Sequence, residues 1–225
     1  MHRSYKLITF DVYTALFDIE SSLVPALTGA LGDKADSRAL LRTWRGKQLE
    51  YALISNSLQR ERVSFRVVTH RALDYALGRA QFETPETTRE ALVEAWNHLR
   101  PWAEAEHVLA SAKSRGYPIG VLSNGDEAML RALMATLSTP MDHFFASDQA
   151  GYYKPHPGIY RLPLQTLGLA AGEALHVAGS PTDVMGAKSA GLPCAWSNRS
   201  AELVLDPACK PDYEFQNLSG LLTVL

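Results

Sequence analysis

The stretch that decides the fold lies near the start of the chain and reads Leu7-Ile8-Thr9-Phe10-Asp11-Val12-Tyr13-Thr14-Ala15-Leu16-Phe17-Asp18. The apolar run over residues 6–12 predicts the first buried strand of a parallel sheet. Asp11 lies at the carboxyl end of this strand, which is where open α/β sheets bind ligands. A strand-end Asp also commonly caps a turn, so Asp11 alone leaves both roles open.

Similar apolar runs recur later in the chain, and helical patterns lie between them. The further predicted strands cover residues 118–122, 175–178 and 193–197, with shorter ones at 144–147 and 213–215. The predicted helices cover residues 103–114, 127–137 and 184–190. Strands and helices that alternate in this way indicate an α/β core, a Rossmann-like doubly wound parallel sheet.

The segment directly after the first strand is different, because it contains helical patterns and no convincing strand. Its predicted helices cover residues 39–54, 65–77 and 85–99. Thr84 is the predicted N-cap of the last one, with Pro85 in its first turn. Long insertions between core elements are often functional lids. We therefore expect a helical cap of residues 18–97, inserted into a core formed by residues 1–17 and 98–225.

The composition argues against several classes of protein. A net charge of −2 without a basic cluster argues against nucleic-acid binding, and no apolar stretch approaches the roughly 20 residues of a membrane helix. Two cysteines, Cys194 and Cys209, are too few for a disulfide framework and fit a reducing compartment. Residues 1–4 lead directly into the first strand, without a signal-peptide core. We expect a cytoplasmic protein that contacts neither nucleic acid nor membrane.

Two charged residues near other strand ends could act together with Asp11. Lys154 precedes Pro155, which restricts its backbone, and its ammonium could keep a strand-end carboxylate ionised. The alternative for Lys154 is an exposed lysine in a turn. Asp183 follows the third strand and could orient a hydrolytic water, although an acidic residue is favoured in the first turn of any helix.

Ser123 and Asn124 follow the second predicted strand. They could cap the helix that comes next. Alternatively, their hydroxyl and amide groups, together with the N–H groups at the helix start, could bind a small anion. Both interpretations put polar groups at the same edge of the sheet as Asp11.

These strand-end residues resemble, in order, the four motifs of the haloacid dehalogenase superfamily, and within it most closely the (S)-2-haloacid dehalogenases of type II. The four residues are Asp11, Ser123, Lys154 and Asp183. The matching segments are Phe10-Asp11-Val12-Tyr13, Leu16-Phe17-Asp18, Leu122-Ser123-Asn124-Gly125, Tyr153-Lys154-Pro155 with Pro157 and Tyr160, Trp44-Arg45-Gly46-Lys47-Gln48-Leu49-Glu50-Tyr51, and Trp196-Ser197-Asn198-Arg199. The resemblance covers nearly the whole chain. The segment around Arg45 is its most specific part, because the four core motifs are shared more widely.

The resemblance implies hydrolytic dehalogenation of short 2-haloalkanoic acids to 2-hydroxy acids, with no metal or other cofactor. Asp11 would attack the halogen-bearing carbon and form an ester, which water then hydrolyses. The implied roles are halide binding by Arg45 and Asn124, binding of the substrate carboxylate by Val12, Tyr13, Ser123 and Lys154, support of Lys154 by Tyr160, and support of the hydrolytic water by Asp183. The resemblance also implies a homodimer.

Tyr13 distinguishes this reaction from phosphoryl transfer. Phosphatases of the same superfamily use Mg²⁺, a cation that carboxylate oxygens bind well, and an acidic residue two positions after the nucleophile. That position is Tyr13 here, and Ala178-Gly179-Ser180 stands where those relatives carry a further acidic residue. A halide leaves without a proton, so a dehalogenase does not need the missing acids.

Several residues depart from the family pattern. The family has Gly-Thr after its Tyr, where this chain has Thr14-Ala15, so a hydroxyl that supports the nucleophile is missing at Ala15. We expect the Thr14 side chain to point elsewhere. Ala178, Ser180 and Thr182 stand where the family has Ser, Asn and Trp, and Ser180 is expected to replace the Asn in part.

Three hypotheses remain, in order of preference. The first is a dehalogenase of short 2-haloacids, the second a Mg²⁺-dependent phosphatase of the same superfamily, and the third a non-enzymatic protein that keeps the scaffold. The third hypothesis is opposed by the joint presence of four residues that a binding module would not need: Asp11, Arg45, Lys154 and Asp183. It is favoured by Ala178 and by the hydroxyl group that is missing at Ala15.

Overall fold

The computed structural model describes residues 5–58 and 61–225. Residues 1–4, which the signal-peptide argument used, lie outside the described residues. The chain divides into two compact units: the segment that ends at Phe17 joins Pro101–Leu225 in the first, and Asp18–Arg100 forms the second. The boundary predicted after residue 97 lies after Arg100 in the structure.

The strands of the described residues are named here in chain order. They are β1 (Leu7–Phe10), β2 (Phe17–Asp18), β3 (Arg100–Pro101), β4 (Ile119–Ser123), β5 (His143–Ala146), β6 (Ala174–Ala178), β7 (Cys194–Ser197) and β8 (Tyr213–Phe215). Strands β2 and β3 pair in a two-stranded sheet where the chain passes between the units. The other six form one sheet in the order β5-β4-β1-β6-β7-β8, and all neighbours are parallel. The predicted doubly wound α/β core is confirmed.

Nine α-helices occur in the described residues. They are α1 (Ile19–Leu31), α2 (Ser37–Ser55), α3 (Phe65–Arg79), α4 (Glu86–Glu94), α5 (Ala105–Ser114), α6 (Glu127–Met134), α7 (Ser147–Ala150), α8 (Pro157–Leu167) and α9 (Pro181–Ser189). The first four belong to the second unit and the other five to the first. None of these described helices combines the length and the apolar character that would let it cross a membrane.

The three central strands position the chemistry. Strands β1, β4 and β6 are buried along their whole length, as expected of a sheet covered on both faces. Phe10 at the end of β1 is level with Val121 of β4 and Val177 of β6, so the carboxyl ends of the three strands meet at one edge. Strands β4 and β5 lie on one side of β1, and the later strands β6, β7 and β8 lie on the other side. The strand order therefore reverses direction next to β1, and open α/β sheets bind ligands at such switch points.

Three helices and one cap differ from the sequence predictions. Helices α1, α7 and α8 were not predicted, and α1 and α8 each contain an interior proline, Pro25 and Pro163, a residue that usually interrupts helices. The prediction that Thr84 caps α4 is wrong. Pro85 occupies the N-cap position, and the Thr84 carbonyl instead accepts a hydrogen bond from Arg89.

Candidate active site

Asp11 follows β1 directly and begins a π-helical turn, Val12–Leu16. Its Oδ2 accepts hydrogen bonds from the Thr14 backbone N–H at 3.2 Å and from the Thr14 hydroxyl at 2.7 Å. The expectation that the Thr14 side chain points elsewhere is wrong, because the π turn brings residue 14 over the carboxylate. Thr14 therefore supplies the hydroxyl that the sequence argument counted as lost at Ala15.

Gly179, the first residue after β6, permits this turn. A Cβ atom at residue 179 would lie 2.4 Å from the Ala15 backbone nitrogen and 2.4 Å from the Thr14 hydroxyl oxygen. Only a residue without a side chain allows the backbone to approach so closely. Gly179 therefore helps to fix the position of Thr14 on Asp11.

Lys154 connects two carboxylates at the sheet edge. Its ammonium Nζ lies 3.1 Å from Asp11 Oδ1 and 2.9 Å from Asp183 Oδ2, and the side chain is buried. Burial alone would lower the pKa of Lys154, but the charges of Asp11 and Asp183 outweigh it and raise the pKa above its ordinary value. The lysine therefore lies as a cation between the two carboxylates.

Asp183 lies in the first turn of α9 and is also buried. Burial acts to raise its pKa, but the nearby charges of His176 and Lys154 lower it by more, so the pKa of Asp183 is well below its ordinary value. Asp183 Oδ1 accepts a hydrogen bond from the Tyr160 hydroxyl at 2.7 Å. Tyr160 was predicted to support Lys154, whereas its hydroxyl binds Asp183 and only its ring faces the ammonium, 5.9 Å from the ring centre.

His176 belongs to the same cluster and was missed by the sequence argument. Its Nε2 lies 2.9 Å from Asp183 Oδ2, and its Nδ1 lies 2.9 Å from the Thr9 hydroxyl oxygen. The sequence of residues 175–178 by itself predicts an apolar strand and gives no separate signal for a histidine with a role in the site. Thr9 and His176 are direct neighbours in the pairing of β1 with β6, so two polar residues inside apolar strands were the available signal.

The remaining predicted core residues hold the cluster together. The Ser123 hydroxyl lies 3.3 Å from Asp11 Oδ1. The Asn124 side-chain carbonyl accepts a hydrogen bond from the Lys154 backbone N–H at 2.7 Å, which fixes the loop that carries the lysine. Ser180 caps α9, because its hydroxyl oxygen accepts from the Asp183 backbone N–H at 3.3 Å. The predicted binding of halide or substrate by Asn124 and Ser180 stays a prediction.

Val12 and Tyr13 are the first two residues of the π turn, and both are buried. The Tyr13 hydroxyl packs against Gly125, where a Cβ atom would lie 2.7 Å from it. An aromatic ring therefore occupies the position two residues after the carboxylate. Their predicted contact with a substrate carboxylate stays a prediction.

Arg45 lies on α2 in the second unit, where Gln48 and Trp96 contact its guanidinium. The guanidinium donates a hydrogen bond to Gln48 and lies 5.5 Å from the centre of the Trp96 ring. Gln48 is itself buried and donates to the Thr69 hydroxyl at 2.6 Å. These contacts favour the orientation seen for the guanidinium, and its predicted contact with halide stays a prediction.

A second group of charged residues occurs on exposed helices of the second unit. His70 Nε2 lies 3.0 Å from Glu86 Oε1 and 3.4 Å from Glu90 Oε1, so these three side chains could approach a cation together. Arg66 and Arg89 already pair with the same two glutamates. This exposed network is therefore explained as a set of surface ion pairs.

The comparisons with known proteins agree with this site. A model of the haloacid dehalogenase-like hydrolases matches residues 5–191. The (S)-2-haloacid dehalogenase of Pseudomonas sp. (strain YL) is 32% identical over 219 residues, covering 96% of this chain and 93% of that protein. The haloacetate dehalogenase H-2 of Moraxella sp. (strain B) is 31% identical over 225 residues, covering 99% of each protein.

A solved structure is similar over almost the whole chain. The L-2-haloacid dehalogenase from Xanthobacter autotrophicus with chloropropionic acid covalently bound has a TM-score of 0.85 and 28% identity, covering 98% of both chains. The predicted resemblance is thereby confirmed: with its paired acids at the edge of a doubly wound sheet, this chain belongs to the haloacid dehalogenase-like hydrolases.

Proposed function

We propose that the protein is a 2-haloacid dehalogenase, which hydrolyses short 2-haloalkanoic acids to 2-hydroxy acids through an ester on Asp11. The observation that carries this proposal is the arrangement of Asp11, with Lys154 on one carboxylate oxygen and Thr14 on the other. Both contacts favour an ionised carboxylate in one fixed orientation, which is what a carboxylate nucleophile needs. The activities named for the relatives, and the chloropropionic acid bound covalently to one of them, support the same reaction.

In the first step, a carboxylate oxygen of Asp11 attacks the carbon that carries the halogen. The new carbon–oxygen bond forms as the carbon–halogen bond breaks, and the halide leaves with the bonding electron pair. The configuration at carbon is inverted. No proton is transferred in this step. The reaction therefore does not need the acidic residue that phosphatases of this superfamily carry two positions after the nucleophile, where this chain has Tyr13.

In the second step, water attacks the carbonyl carbon of the ester on Asp11. Asp183 orients this water, and the bond between the carbonyl carbon and the substrate oxygen breaks. One proton of the water ends on the product hydroxyl and the other is released, while the oxygen of the water stays in Asp11. Because the pKa of Asp183 is well below its ordinary value, Asp183 acts mainly as an ionised hydrogen-bond acceptor.

The proposal includes a metal-independent reaction. Asp11 and Asp183 are the carboxylates that a shared Mg²⁺ would use, and the Lys154 ammonium already lies between them, 3.1 and 2.9 Å from their oxygens. The ammonium therefore supplies both acids with the positive charge that a metal ion would otherwise provide. In this proposal Arg45 and Asn124 contact the halide, while Ser123 and the turn at Val12 and Tyr13 contact the substrate carboxylate.

Halide release from the two enantiomers of 2-chloropropionate, measured in EDTA, tests the proposal. We expect release from the (S)-enantiomer, formation of the 2-hydroxy acid of opposite configuration, and loss of activity in Asp11→Asn by at least about 10³-fold. A single turnover in ¹⁸O water should put label into Asp11, detected by mass spectrometry of the peptide that contains it. Label in the product hydroxyl and none in Asp11 would contradict the ester.

The control is a generic phosphate ester with millimolar Mg²⁺. Phosphate release that is lost in Asp11→Asn, without halide release in the first assay, would favour the phosphatase hypothesis. Neither activity in a folded protein would favour the non-enzymatic one. These three outcomes separate the hypotheses that the sequence left open.

We also propose that the enzyme works as a homodimer in the cytoplasm. Apolar side chains are exposed along one part of the second unit, and their burial would favour association; they are Leu49, Leu53, Ile54 and Leu58. Light scattering should give a dimer mass that Leu53→Glu converts to a monomer, and a monomeric wild-type protein would contradict the proposed dimer.

Cys194 and Cys209 are both free thiols, which fits the reducing compartment of the proposed location. Cell fractionation tests the location.

A further inference from the structure

His176 is buried in the middle of β6, and the mechanism above gives it no role. Both of its ring nitrogens lie 2.9 Å from a polar atom, Nε2 from Asp183 Oδ2 and Nδ1 from the Thr9 hydroxyl oxygen. Burying a polar ring in a sheet is unfavourable unless both nitrogens are paired, and here they are. The ring is therefore fixed at both ends, with one end on an acid of the proposed site.

The partner of Nε2 determines that this nitrogen carries a proton. An ionised carboxylate can only accept hydrogen bonds, so Nε2 must donate its proton to Asp183. Nδ1 pairs with the Thr9 hydroxyl, which can donate or accept. Lys154 Nζ, 3.4 Å from Nε2, is accordingly a second donor that converges on the same carboxylate oxygen.

This arrangement divides the acceptor positions of Asp183. Each carboxylate oxygen accepts about two strong hydrogen bonds. Among the described residues, His176 and Lys154 donate to Oδ2, whereas Tyr160 donates to Oδ1. One position on Oδ1 is thus left for a water molecule, and Oδ2 is already filled.

We propose that His176 is a positioning residue for hydrolysis of the ester: by filling Oδ2 it fixes the Asp183 carboxylate so that Oδ1 receives the hydrolytic water. This inference rests on the proposed function. His176 touches Asp183 directly and reaches Asp11 only through Lys154. Its effect therefore falls on the second chemical step and leaves the displacement of halide by Asp11 largely unchanged.

Rapid-quench kinetics with (S)-2-chloropropionate on the whole protein test this role. His176→Phe keeps a ring of similar size but removes both polar contacts. We expect a burst of about one halide per site at the wild-type rate, followed by turnover that is slower by roughly 10- to 100-fold. Intact-protein mass spectrometry should then show the ester accumulating. His176→Gln can place an amide N–H near the position of Nε2, so it should restore most of the turnover.

Three results would overturn the inference: unchanged turnover in His176→Phe, an equal loss in burst rate and turnover without accumulated ester, or a Gln variant as slow as the Phe variant. If the Phe variant does not fold, Thr9→Val tests the same inference, because it removes only the hydroxyl that pairs with His176 Nδ1. A smaller slowing of the same step supports the role, and wild-type kinetics contradict it. Absence of halide release from the wild-type protein would instead overturn the proposed function.

Discussion

Each of the two units contains a network in which one histidine lies among carboxylates and at least one Lys or Arg side chain, and the two networks differ in burial. The core network consists of Asp11, Lys154, His176 and Asp183, and the surface network of Arg66, His70, Glu86, Arg89 and Glu90. Lys154 is 6% exposed and Asp183 4%, whereas the side chains of Arg66 and Glu90 are 42% and 46% exposed. Charged groups of similar chemistry are therefore buried in one network and exposed to solvent in the other.

The difference in burial decides what each network can do. Exposed ion pairs contribute little, because water and salt screen them and because their long side chains lose freedom. Removing one member of a buried group leaves the others without a partner in a medium of low dielectric. The core network therefore combines burial with an acid, Asp183, whose pKa is well below its ordinary value, and both are features of catalytic sites.

The largest effect is expected for Lys154→Met, which removes the cation shared by Asp11 and Asp183. Two buried carboxylates then face each other without a counter-charge, so we expect a loss of about 3–5 kcal/mol in the free energy of unfolding. Halide release should also disappear. Urea unfolding followed by circular dichroism measures the first effect, and a cost below about 1 kcal/mol would mean that the core network behaves like a surface one.

Asp183→Asn should give the next effect, one that depends on pH. The folded-state pKa of Asp183 is lowered, so its contribution to stability is present above the unfolded pKa, about 3.9, and is lost as the pH falls through the folded pKa. The wild-type protein should exceed the variant in stability at neutral pH, by a margin that shrinks below about pH 4. Urea unfolding at several pH values tests this, and a margin that grows toward acid would contradict it.

Thr14→Val tests the support of the nucleophile. The variant loses the hydroxyl that donates to Asp11 Oδ2 at 2.7 Å but keeps the shape of the side chain. A lost hydrogen bond to a charged group predicts a fall in kcat/KM for halide release of roughly 10- to 100-fold. Thr14→Ser is the matched control and should stay close to wild type. Equal activity of the two variants would show that the hydroxyl is not needed.

The smallest effect is expected in the surface network, for Arg66→Met. This change removes the cation that pairs with Glu90 and Glu94 on exposed helices. We expect a cost below about 1 kcal/mol, which decreases further in 1 M salt, where the Debye length is about 3 Å. Urea unfolding with and without salt measures it, and a cost as large as that of Lys154→Met would remove the contrast between the two networks.

The sequence was sufficient for the sheet and for the residues at its central edge. Continuous apolar runs identify buried parallel strands well, and the residues that follow them must meet at one edge. Asp11, Lys154 and Asp183 could therefore be brought together without a structure. Helix α1 was missed because Pro25 lies inside it, and a proline is a local signal that tertiary packing overrides.

Thr14 and His176 could not be assigned because each depends on a distant part of the chain. The orientation of Thr14 requires the π turn, which requires the close approach of Gly179. A histidine within an apolar strand has an ordinary interpretation as packing, and its significance appears only when Thr9 is placed beside it. Register between strands, which no local pattern specifies, was the missing information.

The place of β1 between β4 and β6 affects the chain while it is still being synthesised. Among the described strands of this sheet β1 is made before the others, whereas its partner β6 is made only after β4 and β5. Until β6 emerges, one edge of an apolar strand stays open, and open edges of this kind promote aggregation. The edge of β1 therefore stays open until β6 has been made, and the sheet around Asp11 cannot be completed before then.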